Sequence, residues 1–189
     1  PGETQLETDR RFLRIRMRRI KARLEKVKNQ RELARRGRKR AEIPAISLVG
    51  YTNAGKSTLF NSITQAGVYA ADKLFATLDP RIRKIQLADV GAATLADTVG
   101  FIRHLPHNLV DAFRATLEES VSADLLLHVI DAAAEERDEQ IKQVYQVLAE
   151  IDADEVPVLE VYNKVDLLGN VEPHIQRDEQ GKPVRVWLS

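Results

Sequence analysis

One short segment of this 189-residue chain has the residue types of a phosphate-binding loop. Residues 50–57 match the pattern G-x-x-x-x-G-K-[ST], after an apolar strand-like stretch and before a helix-like one. The glycines let backbone amides curve around phosphates, Lys56 carries its charge to the β- and γ-phosphates, and the Ser57 hydroxyl ligates Mg²⁺. A plain glycine turn is the alternative, but such a turn has no use for a Lys-Ser pair. The residues expected to contact nucleotide here are Gly50, Tyr51, Thr52, Asn53, Ala54, Gly55, Lys56, Ser57 and Thr58.

A second polar segment follows an apolar stretch about 40 residues later and reads Asp97-Thr98-Val99-Gly100. An aspartate in this place would hold the hydration shell of Mg²⁺, and the Gly100 amide would bond the γ-phosphate. The pattern D-x-x-G is weak evidence alone, but its position after a strand and after the phosphate loop strengthens it.

The segment Asn163-Lys164-Val165-Asp166 indicates which base is bound. A carboxylate at Asp166 can accept from both N1–H and the exocyclic amine of guanine, a pair of donors that adenine does not offer. Lys164 would lie along the base plane, and Asn163 would brace the neighbouring loops. A polar turn after a strand is the alternative interpretation. We therefore predict a guanine-nucleotide site.

A γ-phosphate sensor is expected between the phosphate loop and Asp97. We choose Thr77, in Phe75-Ala76-Thr77-Leu78-Asp79-Pro80, because its hydroxyl could bind Mg²⁺ in the GTP state and release it after hydrolysis. The predicted catalytic residues are then Lys56, Thr77 and Gly100, and the predicted metal ligands are Ser57, Thr77 and Asp97.

Alternating strand and helix patterns position these segments. The predicted strands are 46–49, 82–87, 92–96, 125–130, 158–162 and 184–188, and the predicted helices between them are 56–66, 108–120 and 135–151. Residues 167–183 have weak periodicity and are predicted to be a loop with at most one short helix. The alternation predicts an α/β fold with a doubly wound, mostly parallel sheet. The buried-strand pattern of residues 125–130 makes His128 a core histidine.

The N-terminal region differs in charge from the rest of the chain. Residues 1–42 contain 16 Lys or Arg and 6 Asp or Glu, whereas residues 43–189 contain 13 and 22. We predict two domains with these boundaries, a basic amphipathic helical arm and a nucleotide-binding domain. The helix of the arm is predicted over 4–35, and Gly37 ends the helical pattern. The arm carries a coiled-coil-like seam of Leu13, Met17, Ile20, Leu24 and Val27.

The basic arm is suited to an anionic partner. Its cations fit contacts to RNA phosphates, and such binding weakens steeply with salt. A solvated helical face beside an apolar seam is the alternative. The partner of that seam is expected either upstream of Pro1 or in another molecule, since the arm holds no second matching helix.

Composition narrows the setting. The chain has no cysteine, which excludes disulfides and cysteine-based metal sites and favours a reducing cytoplasm. No apolar run approaches the ~20 residues of a membrane helix. A membrane-associated regulator, with its basic arm on anionic lipid, is a weaker alternative.

These motifs together resemble the translation-factor-like class of GTPases, and within it the HflX family. The resemblance is carried by residues 1–11 (PGETQLETDRR), 50–61 (GYTNAGKSTLFN), 75–80 (FATLDP) and 97–102 (DTVGFI). It implies a monomeric, GTP-hydrolysing bacterial protein that binds the large ribosomal subunit and its rRNA, splits or rescues stalled ribosomes, and is tied to stress.

The resemblance also implies that parts of the protein lie outside this chain. An N-terminal domain and the first helix of a helical hairpin are expected before Pro1, which is not a natural start. A fifth guanine-binding loop is expected to begin at Ser189 and to continue beyond it, so this piece should bind nucleotide more weakly than the intact protein.

The residue after Gly100 bears on hydrolysis. Phe101 stands where many GTPases have a glutamine that orients the attacking water. Hydrolysis is therefore expected to be slow without an activator. Asn53 suggests a K⁺ ion held against the phosphates, as in related GTPases with Asn at this position; the alternative is that Asn53 only shapes the loop. Phe101 also keeps open another class of function, an RNA-binding module that uses GTP as a structural ligand with negligible turnover.

Overall fold

The computed structural model describes residues 5–40, 42–65, 81–98, 100, 117 and 120–189. The chain divides into two compact units, Pro1–Ile43 and Pro44–Ser189.

The first unit is built on one long helix, α1 (Gln5–Arg40). Leu13, Met17 and Ile20 of the predicted seam are exposed, at 60%, 56% and 49%. The helix runs past Gly37, so its predicted end was wrong. A glycine inside a helix costs only about 1 kcal/mol relative to alanine, and the three basic residues after it suit a helix C-terminus. No helix in the described part of the chain is both long and apolar enough to cross a bilayer.

The second unit contains a seven-stranded sheet in the order β2-β3-β1-β4-β5-β7-β6. The strands are β1 (Ala45–Val49), β2 (Arg81–Leu87), β3 (Gly91–Asp97), β4 (Leu125–Asp131), β5 (Val158–Asn163), β6 (His174–Arg177) and β7 (Pro183–Trp187). The five central strands are parallel, and the two edge strands, β2 and β6, pair antiparallel with their neighbours. The predicted α/β fold with a mostly parallel sheet is confirmed.

Two apolar layers cover the faces of this sheet. Successive residues of a strand point to opposite faces, so Leu48 and Val49 of β1 enter different clusters. Helix α2 (Lys56–Thr64) contributes Phe60 to the Leu48 cluster. Helix α3 (Arg137–Glu150) contributes Val144 and Leu148 to the Val49 cluster. The packed layers fix the carboxyl ends of the parallel strands, which is where the polar segments lie.

The region predicted as a loop, 167–183, contains a strand. A 3₁₀ turn spans Val165–Leu168, and the edge strand β6 follows it and pairs with β7. All four residues of β6 are exposed. A strand with no buried face has no apolar alternation, which is the signal that sequence analysis depends on. Of the predicted helix 108–120, only Leu117 and Ser120 lie within the described residues.

His128 lies in the core, as predicted, and is 1% exposed. Its ring packs edge-on against the ring of Tyr145, with centroids 5.4 Å apart. Burial lowers the pKa of His128 from 6.5 to about 4; the charge of Glu160 opposes this shift and that of Lys56 adds to it. The imidazole is therefore neutral in the folded protein at neutral pH.

This buried imidazole predicts an acid-sensitive fold. The unfolded chain takes up a proton on His128 near pH 6.5, whereas the folded chain resists it until about pH 4. Stability is therefore expected to fall as the pH drops through this window, by up to roughly 3 kcal/mol. Urea unfolding at several pH values should show a shallower loss for His128→Leu than for wild type. The same loss in both proteins would contradict this assignment.

Candidate functional site

The loop between β1 and α2 depends on two glycines with positive φ. Gly50 has φ 143°, and a Cβ there would lie 2.2 Å from the Val129 carbonyl oxygen. Gly55, which precedes α2, has φ 96°, and a Cβ there would lie 2.1 Å from Asn163 Nδ2. Both positions combine an unfavourable conformation for side chains with no room for one. The glycines thus let the loop run closely against β4 and β5.

Lys56 begins α2 and turns its side chain back into the loop. Its Nζ donates to the carbonyl oxygens of Gly50, at 3.0 Å, and Tyr51, at 2.7 Å. The residue is 6% exposed. Burial lowers the pKa of Lys56 from 10.5 to about 8, and the charge of Asp97 opposes that shift. A desolvated cation held in place at a helix N-terminus is a strong site for a phosphate oxygen.

Ser57 and Asp97 lie next to each other in the fold, although they are 40 positions apart in sequence. The Ser57 hydroxyl donates to Asp97 Oδ2 at 2.8 Å. Parallel pairing of β1 with β3 places Asp97 opposite Leu48, and Asp97 is fully buried. A hydroxyl and a carboxylate are oxygen ligands of the kind that Mg²⁺ prefers. These two residues therefore fit a magnesium ion bound together with phosphates.

The backbone after Asp97 stays close to the phosphate loop. The Thr98 hydroxyl, which is buried, donates to the Leu48 carbonyl oxygen at 2.5 Å. A Cβ on Gly100 would lie 2.9 Å from Thr52 Cα and 3.0 Å from Lys56 Nζ. Only a residue without a side chain fits here, so the main chain at Gly100 can approach a phosphate bound beside Lys56.

The last residue of β5 and the residue after it are joined to the phosphate loop by two hydrogen bonds. Asn163 Nδ2 donates to the Ala54 carbonyl oxygen at 3.0 Å, and Lys164 Nζ donates to the Asn53 carbonyl oxygen at 2.8 Å. Two of the predicted base-recognition residues, Asn163 and Lys164, therefore contact the predicted phosphate loop.

Asp166 and Ser189 lie next to each other. Ser189 Oγ donates to Asp166 Oδ1 at 2.5 Å, and both residues are exposed. The Asp166 side chain is therefore accessible from solvent. Thr58 is exposed in the first turn of α2.

Some predicted residues lie outside the described residues. These are Thr77, Phe101 and the segment around Thr77, so the sensor role of Thr77 stays a prediction.

Asp131, at the end of β4, belongs to the site and was not among the predicted residues. Its Oδ2 lies 2.7 Å from Lys164 Nζ. A lone aspartate after an apolar strand has no motif spacing. The signal that reveals it is the register, since Asp131 pairs directly with Asn163 in the neighbouring parallel strand.

Two family models match the chain. The model described as 50S ribosome-binding GTPase matches residues 45–164, and the model described as GTP-binding GTPase Middle Region matches residues 1–38.

Similar proteins extend these matches. The GTPase HflX of Escherichia coli K12 is 65% identical over 189 residues, which are 100% of this chain and 44% of that protein. A GTP-binding protein from the archaeon Sulfolobus solfataricus, solved in complex with GDP, has a TM-score of 0.59 at 31% identity, covering 87% of this chain and 46% of that one. Era in complex with MgGDPNP and a 16S ribosomal RNA segment has a TM-score of 0.55 at 28% identity, covering 67% and 42%.

The chain spans less than half the length of the curated relatives it matches. Within that length, the two family models cover residues 1–38 and residues 45–164, the second of which includes the phosphate loop, Asp97 and Lys164. The chain belongs to the HflX family of P-loop GTPases.

Proposed function

We propose that this protein is a GTP-binding and GTP-hydrolysing switch that associates with the large ribosomal subunit. The observation that carries the proposal is the pair of hydrogen bonds from Asn163 and Lys164 to the carbonyls of Ala54 and Asn53. They join a base-recognition segment to a phosphate-binding segment. A nucleotide has both a base and phosphates, so its binding site needs both segments close together.

In this proposal each part of the site has a separate task. The loop amides and Lys56 bind the β- and γ-phosphates, and Lys56 exchanges its bonds to the loop carbonyls for phosphate oxygens. Ser57 and Asp97, with Thr77, would hold Mg²⁺, which would neutralise phosphate charge. The Gly100 amide bonds the γ-phosphate. Asn163, Lys164, Asp166 and Ser189 recognise guanine.

Hydrolysis follows from this arrangement. A water oxygen bonds to the γ-phosphorus as the bond from that phosphorus to the β–γ bridging oxygen breaks, giving GDP, phosphate and a proton. Lys56 stabilises the charge that moves onto the bridging oxygen. Because Phe101 cannot orient water, the reaction depends on an activator. Asn53 would help to hold a K⁺ ion, which would supply further positive charge at the phosphates.

The ribosome is the activator in this proposal. One matching family model is described as a 50S ribosome-binding GTPase. Helix α1 supplies cations that suit rRNA phosphates, and we assign residues 1–42 as an RNA-contacting arm and residues 43–189 as the nucleotide-binding domain. The protein then acts as a cytoplasmic monomer that splits or rescues stalled ribosomes under stress.

Turnover measurements test this function. GTP hydrolysis by the full-length protein is expected to rise at least about tenfold when purified large subunits are added, as expected for a transition-state contribution above about 1.4 kcal/mol. ATP should give no turnover. Each reaction is run in KCl and in NaCl, and equal rates would remove the K⁺ role.

Two other outcomes have clear meanings. Absence of stimulation by large subunits would contradict the ribosome as activator while leaving the guanine site intact. Negligible turnover with every partner, together with tight GTP binding, would favour the RNA-binding module that uses GTP as a structural ligand.

A further inference from the structure

Asp131 uses both of its carboxylate oxygens. Oδ1 accepts from the Ala133 amide at 3.0 Å, which fixes the orientation of the carboxylate at the end of β4. Oδ2 accepts from Lys164 Nζ at 2.7 Å. The side chains of Lys164 and Asp131 are only 27% and 21% exposed. This pair is less solvated than an ordinary surface ion pair, whose contribution is small.

The position of Lys164 is restricted by its backbone conformation and by two contacts of its ammonium group. Its backbone is left-handed, with φ 65°. Its Nζ donates both to Asp131 and to the Asn53 carbonyl oxygen in the phosphate loop. Two of the three ammonium donors are therefore used, and the ammonium group is fixed between the end of β4 and that loop. The Ala132 amide donates to the Asn163 carbonyl oxygen at 2.9 Å, which holds the two strand ends together.

We propose that Asp131 is a positioning residue for the guanine site, acting through Lys164. By fixing the ammonium group, it keeps the hydrocarbon stem of Lys164 extended along the plane where the base lies. It also keeps the base-recognition segment attached to the phosphate loop. This inference rests on the proposed function, because it requires Lys164 to face the base.

The contact between Asp131 and Lys164 is expected to lengthen the residence time of the bound nucleotide. Without the Asp131 charge, the ammonium group keeps only the Asn53 carbonyl and becomes free to turn toward water. The stem then moves away from the base, and the nucleotide dissociates faster. Asp131 contacts the Ala133 amide and Lys164 Nζ, so its effect on the nucleotide is expected to pass through the base-recognition segment.

The experiment measures the dissociation rate of a fluorescent GDP from the full-length protein. Asp131→Asn keeps an oxygen for the Ala133 amide and removes the charge, and it is expected to raise the rate about tenfold. Asp131→Glu keeps the charge, and its GDP dissociation rate is expected to be close to that of wild type. Asp138→Asn, which removes the carboxylate of the exposed Arg137–Asp138 pair, is the matched control and should match wild type.

A double-mutant cycle with Lys164→Met tests whether Asp131 acts on the nucleotide through Lys164 or independently of it. If Asp131 acts through Lys164, Asp131→Asn has no further effect on the dissociation rate in the Lys164→Met background. If the two substitutions raise the GDP dissociation rate additively, the inference about Asp131 is wrong and the proposed function is unaffected. The same holds if Asp131→Asn leaves that rate unchanged while Lys164→Met raises it. If Lys164→Met itself binds GDP as wild type does, the proposed base-recognition role of Lys164 fails, and this inference with it.

Discussion

Replacing Lys56 by methionine is expected to weaken GDP and GTP binding by at least about 100-fold and to bring turnover below detection. The ammonium group is fixed by the Gly50 and Tyr51 carbonyls at the start of α2, where the phosphates are proposed to lie. Removing one partner of a buried charge pair costs about 3–5 kcal/mol, and each 1.4 kcal/mol is tenfold in affinity.

The same substitution separates binding from folding. Burial lowers the pKa of Lys56 to about 8, which shows that the nucleotide-free fold disfavours this charge. Methionine has a similar volume and no charge, so the nucleotide-free variant is expected to melt close to the wild-type temperature. Equilibrium titration with fluorescent GDP and thermal melting check both statements. Lys142→Met, at an exposed position of α3, is the control and should bind normally.

Wild-type affinity in Lys56→Met would show that the loop binds no phosphate at this position. A variant that loses affinity because it fails to fold would instead lose its melting transition. The two measurements together therefore test the role of the side chain.

The elements that position the site could be predicted from sequence because their constraints are local. Gly50 and Gly55 mark places where the backbone has positive φ and no room for a side chain. Lys56 and Ser57 follow in the first turn of a helix whose start the motif itself defines. Apolar runs of the central strands report burial on both faces, which is what a parallel sheet requires.

The features that sequence analysis missed depend on contacts between residues far apart in sequence or on the lack of a buried face. Strand β6 is fully exposed, so its sequence carries no alternation, and its pairing with β7 is what defines it. Asp131 contacts Lys164, 33 positions away, because β4 and β5 are adjacent and in register. Aligning the ends of neighbouring strands would reveal such a residue, but it requires the strand order first.

Replacing Asp166 by asparagine is expected to change the preferred base from guanine to xanthine. The Asp166 carboxylate accepts from Ser189 Oγ, and the residue is exposed. In the proposed complex it accepts from N1–H and the exocyclic amine of guanine. An asparagine amide can accept only one of these hydrogen bonds, and its NH₂ group opposes the amine.

Xanthine has a carbonyl where guanine has that amine. The asparagine NH₂ group can therefore donate to the base while its oxygen accepts from N1–H, which restores both hydrogen bonds. Hydrogen bonds to charged groups contribute about 1.5–3 kcal/mol each, so GDP affinity should fall by about 100-fold or more. Xanthosine diphosphate should bind the variant more tightly than GDP does, which reverses the wild-type order.

Competition of GDP, xanthosine diphosphate and ADP against a fluorescent nucleotide measures this preference. Asp154→Asn, another exposed aspartate outside the site, is the control and should keep the preference for GDP. Equal weakening of GDP and xanthosine diphosphate in Asp166→Asn would mean that the carboxylate supports the loop rather than reading the base. A reversal of preference cannot come from loop damage, because damage does not create a new pair of hydrogen bonds; it would place Asp166 against the base edge.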